Sequence, residues 1–317
     1  MAAEKRFHPS VYIAVWIFFS SSVILYNKYI LSTLDFAFPV FLTTWHLVFA
    51  TIVTRILKSR TNLLPAAKNS TMTWTKYMRS VVPIGLFFSG SLIFNNIAYL
   101  YLSVSFIQML KATTPIVVLT LSFATGLKEP NMQLFLNVLG VVVGVIIASI
   151  GEIQFVFIGF ACQAAGILFE SARLVLVQKL MTEQMDPLSS LYFFAPVCAV
   201  FNGIVFLFKE YPTMTWADIE GLGAFTLLSN ASVALLLNFA VVFLIGCTSS
   251  LVLTLSGVLK DLILIVLSMV LFGSVTTLTQ VVGYGIALTF LVRYKTLSIN
   301  WKSEYQRIMG HDKALPK

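Results

Sequence analysis

Two lysines stand in unusual company: Lys111, at the end of Ser103-Val104-Ser105-Phe106-Ile107-Gln108-Met109-Leu110-Lys111, and Lys260, in Leu259-Lys260-Asp261, both lie inside long apolar stretches. A charge at mid-bilayer costs roughly 2.5–3.5 kcal/mol on insertion scales, so such a group faces a wet cavity or finds a counter-charge. Lys111 has no acidic residue one helical turn away, and a phosphate or diphosphate carried by a ligand would supply the missing charge. Successive helical residues point about 100° apart, so Lys260 and Asp261 are not expected to form a single salt bridge aimed at a cavity. Asp261 is instead expected to hydrogen-bond a sugar or a neighbouring helix. Asn95, Asn96, Gln108, Thr113, Thr114, Asn238 and Ser256 are polar candidates for the same cavity, and Tyr99, Tyr101 and Tyr192 are candidates for stacking on a base or sugar. Each also has a purely structural reading, since Ser and Thr bond their own helix backbone and Asn pairs across helices. Glu170 and Arg173, three residues apart, can neutralise each other without a ligand. Lys28, Arg55, Lys179 and Arg293 fall near helix ends, where long side chains reach the interface.

The elements that must hold these residues are membrane helices. The chain has 317 residues, 58% hydrophobic and 11% charged, with a mean hydropathy of +0.90, a balance that leaves too little polar surface for a soluble domain of this size. Stretches near 10–32, 38–57, 78–101, 104–126, 131–150, 154–178, 188–208, 222–245, 248–271 and 276–296 each have spanning length. The expected fold is an all-α membrane protein of ten transmembrane helices forming one transporter domain over residues 1–317, with a cytosolic tail at 297–317. The first apolar run is of full spanning length without a small-residue cleavage site, so it is read as a helix and not as a signal peptide. The net charge of +8 follows membrane side: Lys5, Arg6, Lys58, Arg60, Lys68, Lys76, Arg79, Lys128, Lys179, Lys302, Arg307, Lys313 and Lys317 fall on the side of the termini, against little beyond Lys209 opposite. The positive-inside rule then puts both termini in the cytosol, and this placement argues against nucleic acid as a partner. The lipid bilayer and an anionic small molecule are the expected partners.

Enzyme chemistry finds little support. The histidines are His8, His46 and His311, two in terminal segments and one in the second helix, and Cys162, Cys198 and Cys247 lie on different helices without metal-type spacing. No Gly-rich phosphate loop is present, so no ATP hydrolysis and no cofactor are expected. The triplets Asn69-Ser70-Thr71 and Asn230-Ala231-Ser232 fall on the cytosolic side and inside a span, where glycosylation would not reach them. Small-residue spacing such as Gly140 to Gly144 suits helix packing within the bundle or between the protomers of a homodimer.

The two halves, about 10–150 and 154–296, overlay at an offset near 150: Lys28 on Lys179, Asp35 on Asp186, and Leu110-Lys111 on Leu259-Lys260. Five spans per repeat invert the second copy, the plan on which many secondary transporters alternate access. The two intramembrane lysines then become symmetry mates approaching the bundle axis from opposite sides.

Leu25-Tyr26-Asn27-Lys28, Thr44-Trp45-His46, Phe94-Asn95-Asn96-Ile97-Ala98, Ser103-Val104-Ser105-Phe106, Leu110-Lys111-Ala112 with Pro115, and Leu259-Lys260-Asp261 together resemble the triose-phosphate/nucleotide-sugar translocator family of the drug/metabolite transporter superfamily, over residues 10–296. The resemblance implies a ten-helix inverted repeat, antiport by alternating access and cytosolic termini. In the plastid sugar-phosphate branch the ninth helix carries Lys-Arg, two cations that clamp phosphate; here the second position is Asp261. The Lys-Asp version resembles the branch of nucleotide-sugar transport in the secretory pathway. The resemblance therefore implies a nucleotide-sugar antiporter of the Golgi or endoplasmic reticulum membrane, exchanging a UDP-sugar for a nucleoside monophosphate, with Lys111 and Lys260 on the diphosphate. The alternatives are a sugar-phosphate or phosphoenolpyruvate/phosphate exchanger using the same lysines, and a non-transporting membrane adaptor whose lysines bind lipid headgroups.

Overall fold

The structure, a computed structural model, describes residues 9–69, 72–127, 132–152, 155–180, 187–247, 250–273 and 276–297. Among them there is no strand; the chain runs from helix to helix. In order these are α1 Pro9–Lys28, α2 Pro39–Arg60, the short α3 Pro65–Asn69 and α4 Trp74–Lys76, α5 Val82–Tyr101, α6 Val104–Lys111, α7 Thr114–Ala124, α8 Met132–Ile150, α9 Phe157–Leu180, α10 Pro187–Lys209, α11 Trp216–Leu222, α12 Ala224–Cys247, α13 Ser250–Phe272 and α14 Leu278–Leu297. Local chemistry explains several boundaries. Pro39 opens α2, where its fixed φ suits the first turn and its missing N–H costs nothing, and Lys58 and Arg60 close it on the negative end of the helix dipole. A π-turn, Tyr29–Thr33, extends α1, and Asp35 then takes a left-handed φ of 54° as the chain reverses into α2.

Seven helical segments of the described residues are long and apolar enough to cross a membrane, and Leu136–Ile150 and Leu278–Arg293 are shorter apolar helices. Their outer surface carries large apolar side chains: Phe208 and Phe225 are each 83% exposed and Leu278 79%. A surface of this kind is solvated by lipid tails, and the protein is a multi-pass membrane protein. The Asp186 half of the repeat match, the Lys179 side chain, Lys128, the Cys247 side chain and the tail from 298 lie outside the described residues.

The helices pack in pairs far apart in the chain: α8 with α14, α5 with α9, α2 with α10, α1 with α12, and α6 with α13. The α8–α14 contact shows why glycine is required. A Cβ on Gly144 would collide with the backbone of Ala287, one on Gly283 with the backbone of Ala148, and one on Gly140 with the Phe290 ring. The small-residue run of α8 is thus used inside the bundle, where close backbone approach replaces a hydrophobic driving force that lipid does not provide.

The segment expected as one helix over 104–126 is broken. Pro115 lacks an N–H and its ring crowds the carbonyl four residues back, which belongs to Lys111. α6 therefore ends at Lys111, Ala112 and Thr113 donate to Met109 and Leu110 at 3.2 and 3.0 Å in tightened turns, and α7 starts afresh at Thr114.

Candidate substrate site

Beside this break lies a cavity of about 390 Å³, walled by Asn27 of α1, Ser91, Asn95, Asn96 and Tyr99 of α5, Lys111, Thr114, and Ile167 and Glu170 of α9. Lys111, Thr114, Asn95 and Asn96 are thus brought to one cavity from two separate segments. Lys111 holds its Nζ 5.9 Å from the centre of the Tyr99 ring and makes no ion pair among the described residues. Asn95 accepts a hydrogen bond from Gln163 Nε2 at 2.9 Å and donates to the Ser91 carbonyl at 2.8 Å. α9 comes this close because residue 166 is glycine; a Cβ there would stand 3.0 Å from Asn95 Oδ1. Glu170 accepts from Ser91 Oγ at 2.9 Å and pairs with Arg173 at 2.5 Å, while Arg173 also lies 4.6 Å from the Phe88 ring centre. The self-neutralising reading of Glu170 and Arg173 describes this geometry, yet Glu170 also lines the cavity.

The second lysine differs from expectation. Lys260 Nζ lies 3.1 Å from Asp261 Oδ1 and 5.8 Å from the Trp16 ring centre. The 100° separation holds at Cβ, but the four-carbon lysine stem bends across it. Lys111 approaches the Tyr99 ring, whereas Lys260 and Asp261 are not among the residues that line the cavity. Glu170 is matched to Arg173 and Asp261 to Lys260, while Lys111 makes no ion pair among the described residues.

The other candidates sit elsewhere. Gln108 is 2% exposed and its Nε2 has no partner among the described residues. Asn238 donates to the Ala234 carbonyl of its own helix at 3.0 Å, the structural alternative for such a residue. Ser256 is buried in α13. Tyr192 is not near the cavity; it lies at the start of α10, under Arg55 and Lys58.

The structure also assigns work to residues that spacing alone left unexplained. Asn27 donates to Asn96 Oδ1 at 3.2 Å and accepts from Asn230 Nδ2 at 3.1 Å, and Asn230 Oδ1 bonds His46 Nε2. Tyr26 bonds Ser229 at 2.8 Å and Trp45 donates to the Leu227 carbonyl at 3.0 Å. The Leu25-Tyr26-Asn27-Lys28 and Thr44-Trp45-His46 motifs are therefore polar ties joining α1 and α2 to α5 and α12. Lys28, read as snorkelling, instead donates to the carbonyls of Tyr99 and Leu102 at 2.5 and 3.1 Å, capping the C-terminus of α5. An asparagine beside an intramembrane lysine was the available signal for this network; its partners lie 69 and 203 residues away.

A cavity lined by a lysine and several amide side chains beside a broken helix, inside a multi-pass bundle, fits a membrane solute transporter. The chain belongs to the Triose-phosphate Transporter family, which it matches over residues 8–295. It is similar to probable sugar phosphate/phosphate translocators of Arabidopsis thaliana, 40% identical to one over 91% of this chain and 78% of the relative, and 39% identical to another over 91% and 79%. It is also 25% identical to UDP-galactose transporter 1 of Arabidopsis thaliana, over 91% of this chain and 86% of that protein.

Proposed function

We propose that this protein exchanges a small sugar phosphate for inorganic phosphate across its membrane, by alternating access to the Lys111 cavity. The observation that carries the reading is the Lys111 ammonium, which makes no ion pair among the described residues and which a bound phosphate would neutralise. The names of the more similar relatives favour sugar phosphate over the nucleotide sugar expected from the Lys260-Asp261 motif. The cavity volume agrees, since about 390 Å³ lies near the lower end of the ~300–1,000 Å³ typical of ligand pockets. In this reading Lys111 grips the phosphate, Tyr99, Asn96 and Thr114 face the remainder, and Lys260 is released from Asp261 when the ligand's charge arrives.

The reading includes ten membrane-spanning helices in two inverted sets of five, one domain, and cytosolic termini in a Golgi or endoplasmic reticulum membrane. Support for the repeat comes from the pairings: counting α6 and α7 as one span, α8–α14, α2–α10 and α6–α13 each join a helix to its equivalent in the other half, and α5–α9 mirrors α1–α12. Support for the orientation comes from the one-sided distribution of basic residues.

A nucleotide-sugar/nucleoside monophosphate antiporter remains the second reading, favoured by the Lys260–Asp261 pair and the UDP-galactose transporter relative. Proteoliposomes preloaded with phosphate or UMP, offered labelled triose phosphate, phosphoenolpyruvate or UDP-galactose, separate the two. Sugar-phosphate uptake that needs internal phosphate and is lost in Lys111→Ala supports the proposal. Uptake of UDP-galactose that needs internal UMP moves the assignment to the second reading, and absence of any exchange from folded protein points to the adaptor.

A further inference from the structure

A larger cavity, about 670 Å³, lies apart from the Lys111 site, where the C-terminal end of α2 meets α4 and the start of α10. Two cations converge there on one aromatic ring: the Arg55 guanidinium is 4.9 Å and Lys58 Nζ 4.4 Å from the centre of Tyr192, and Lys58 also donates to the Tyr192 hydroxyl at 3.2 Å. Neither forms an ion pair among the described residues. Arg55 was expected to reach for the interface and Lys58 to lie on the cytosolic side; in the structure Arg55 is exposed and Lys58 half-buried, and both line this pocket against the same ring. Two like charges gathered on one wall make a positive surface that attracts an anion.

The surroundings indicate the kind of anion. Trp74, stacked on Tyr77 with ring centres 5.9 Å apart, is 74% exposed, as aromatic side chains at the headgroup level of a membrane are. The lining also includes Met78 and Val200, 46% and 62% exposed, which belong against acyl chains. The opening is thus bordered by apolar side chains, with two cations on its wall and an interfacial aromatic at the rim. We propose that this pocket holds the phosphate headgroup of an anionic glycerophospholipid, with the acyl chains leaving past Val200. The site is separate from the Lys111 cavity and does not depend on which solute that cavity carries.

The test is thermal unfolding of detergent-purified full-length protein titrated with dioctanoyl phosphatidylinositol, dioctanoyl phosphatidylcholine or inorganic phosphate. Phosphatidylinositol is expected to raise the melting temperature of wild type and of Lys111→Ala alike, and phosphatidylcholine to do so far less. Arg55→Gln with Lys58→Gln is expected to weaken the phosphatidylinositol response at least tenfold. Equal responses to the two lipids, or an undiminished response in the double variant, overturn the proposal. A response to inorganic phosphate as strong as to phosphatidylinositol also overturns it, showing a soluble-anion site. Should the double variant fail to fold, Trp74 reports directly: phosphatidylinositol should change tryptophan emission in wild type and not in Trp74→Phe, and identical changes in both refute the site.

Discussion

At the scale of single residues, Lys111 makes no ion pair among the described residues, and replacing it tests the site most directly. Lys111→Ala is expected to lower phosphate-driven exchange at least ~100-fold, the loss of a charge-assisted contact in a low-dielectric site, while Lys111→Arg retains part of it. Initial rates in proteoliposomes check both. Asn27 contributes differently, holding α5 and α12 together through Asn96 and Asn230. A double-mutant cycle of Asn27→Ala and Asn230→Ala, read by thermal or denaturant unfolding, should show coupling of about 0.6–1.7 kcal/mol. Glu210, in the loop just after α10, accepts from the backbone N–H groups of Val40 and Phe41 at 2.9 and 2.7 Å. Burial pushes its pKa above the ordinary carboxylate value, outweighing the opposing pull of those two N–H groups and of Lys209. A raised folded-state pKa means that this group favours the folded state most at acid pH, and that the benefit is lost as pH rises through the folded pKa. The melting temperature of wild type relative to Glu210→Gln should therefore fall as pH is raised across the carboxylate range.

At the scale of elements, the break between α6 and α7 and the contact of α8 with α14 make opposite demands. The break needs Pro115 to displace the Lys111 carbonyl, and Pro115→Ala would let one continuous helix form. Exchange should then fall about tenfold or more with no loss of thermal stability, because a helix gains hydrogen bonds while the cavity loses its shape. The α8–α14 contact needs the absence of side chains. Gly283→Leu would force apart backbones at Ala148 and Gly144, and the variant is expected to unfold at a temperature several degrees lower, or to fail to accumulate in the membrane.

At the scale of the whole molecule, alternating access requires the cavity to open to each side in turn. In a background without native cysteines, Thr114→Cys should react with a membrane-impermeant thiol reagent added from either side of the membrane, and phosphate should slow both reactions. Reaction from one side only, unaffected by phosphate, would contradict exchange through this cavity.

Hydropathy located the helices closely, as with 188–208 against Pro187–Lys209 and 38–57 against Pro39–Arg60, because the need to satisfy backbone polar groups in lipid is a local demand written in each stretch. Lys111 was visible for the same reason: a charge in an apolar run stands out whatever surrounds it. The break at Ala112 depended on one proline whose effect an apolar window averages away. The partners of Asn27, Lys28, Glu170 and Glu210 could not be read from spacing, since hydrogen bonds and ion pairs are decided by which distant segments meet. Lys260 was misjudged because side-chain direction at Cβ does not limit where a long flexible ammonium settles. By itself, the sequence determined that this chain is a helical membrane protein with a rare cation inside an apolar run. Only the tertiary structure decided that Lys111 lies beside Asn95, Asn96 and Thr114 in one cavity, that Lys260 is matched while Lys111 makes no ion pair among the described residues, and that Tyr192 belongs to a separate basic pocket, because charge balance is a property of the assembled cluster.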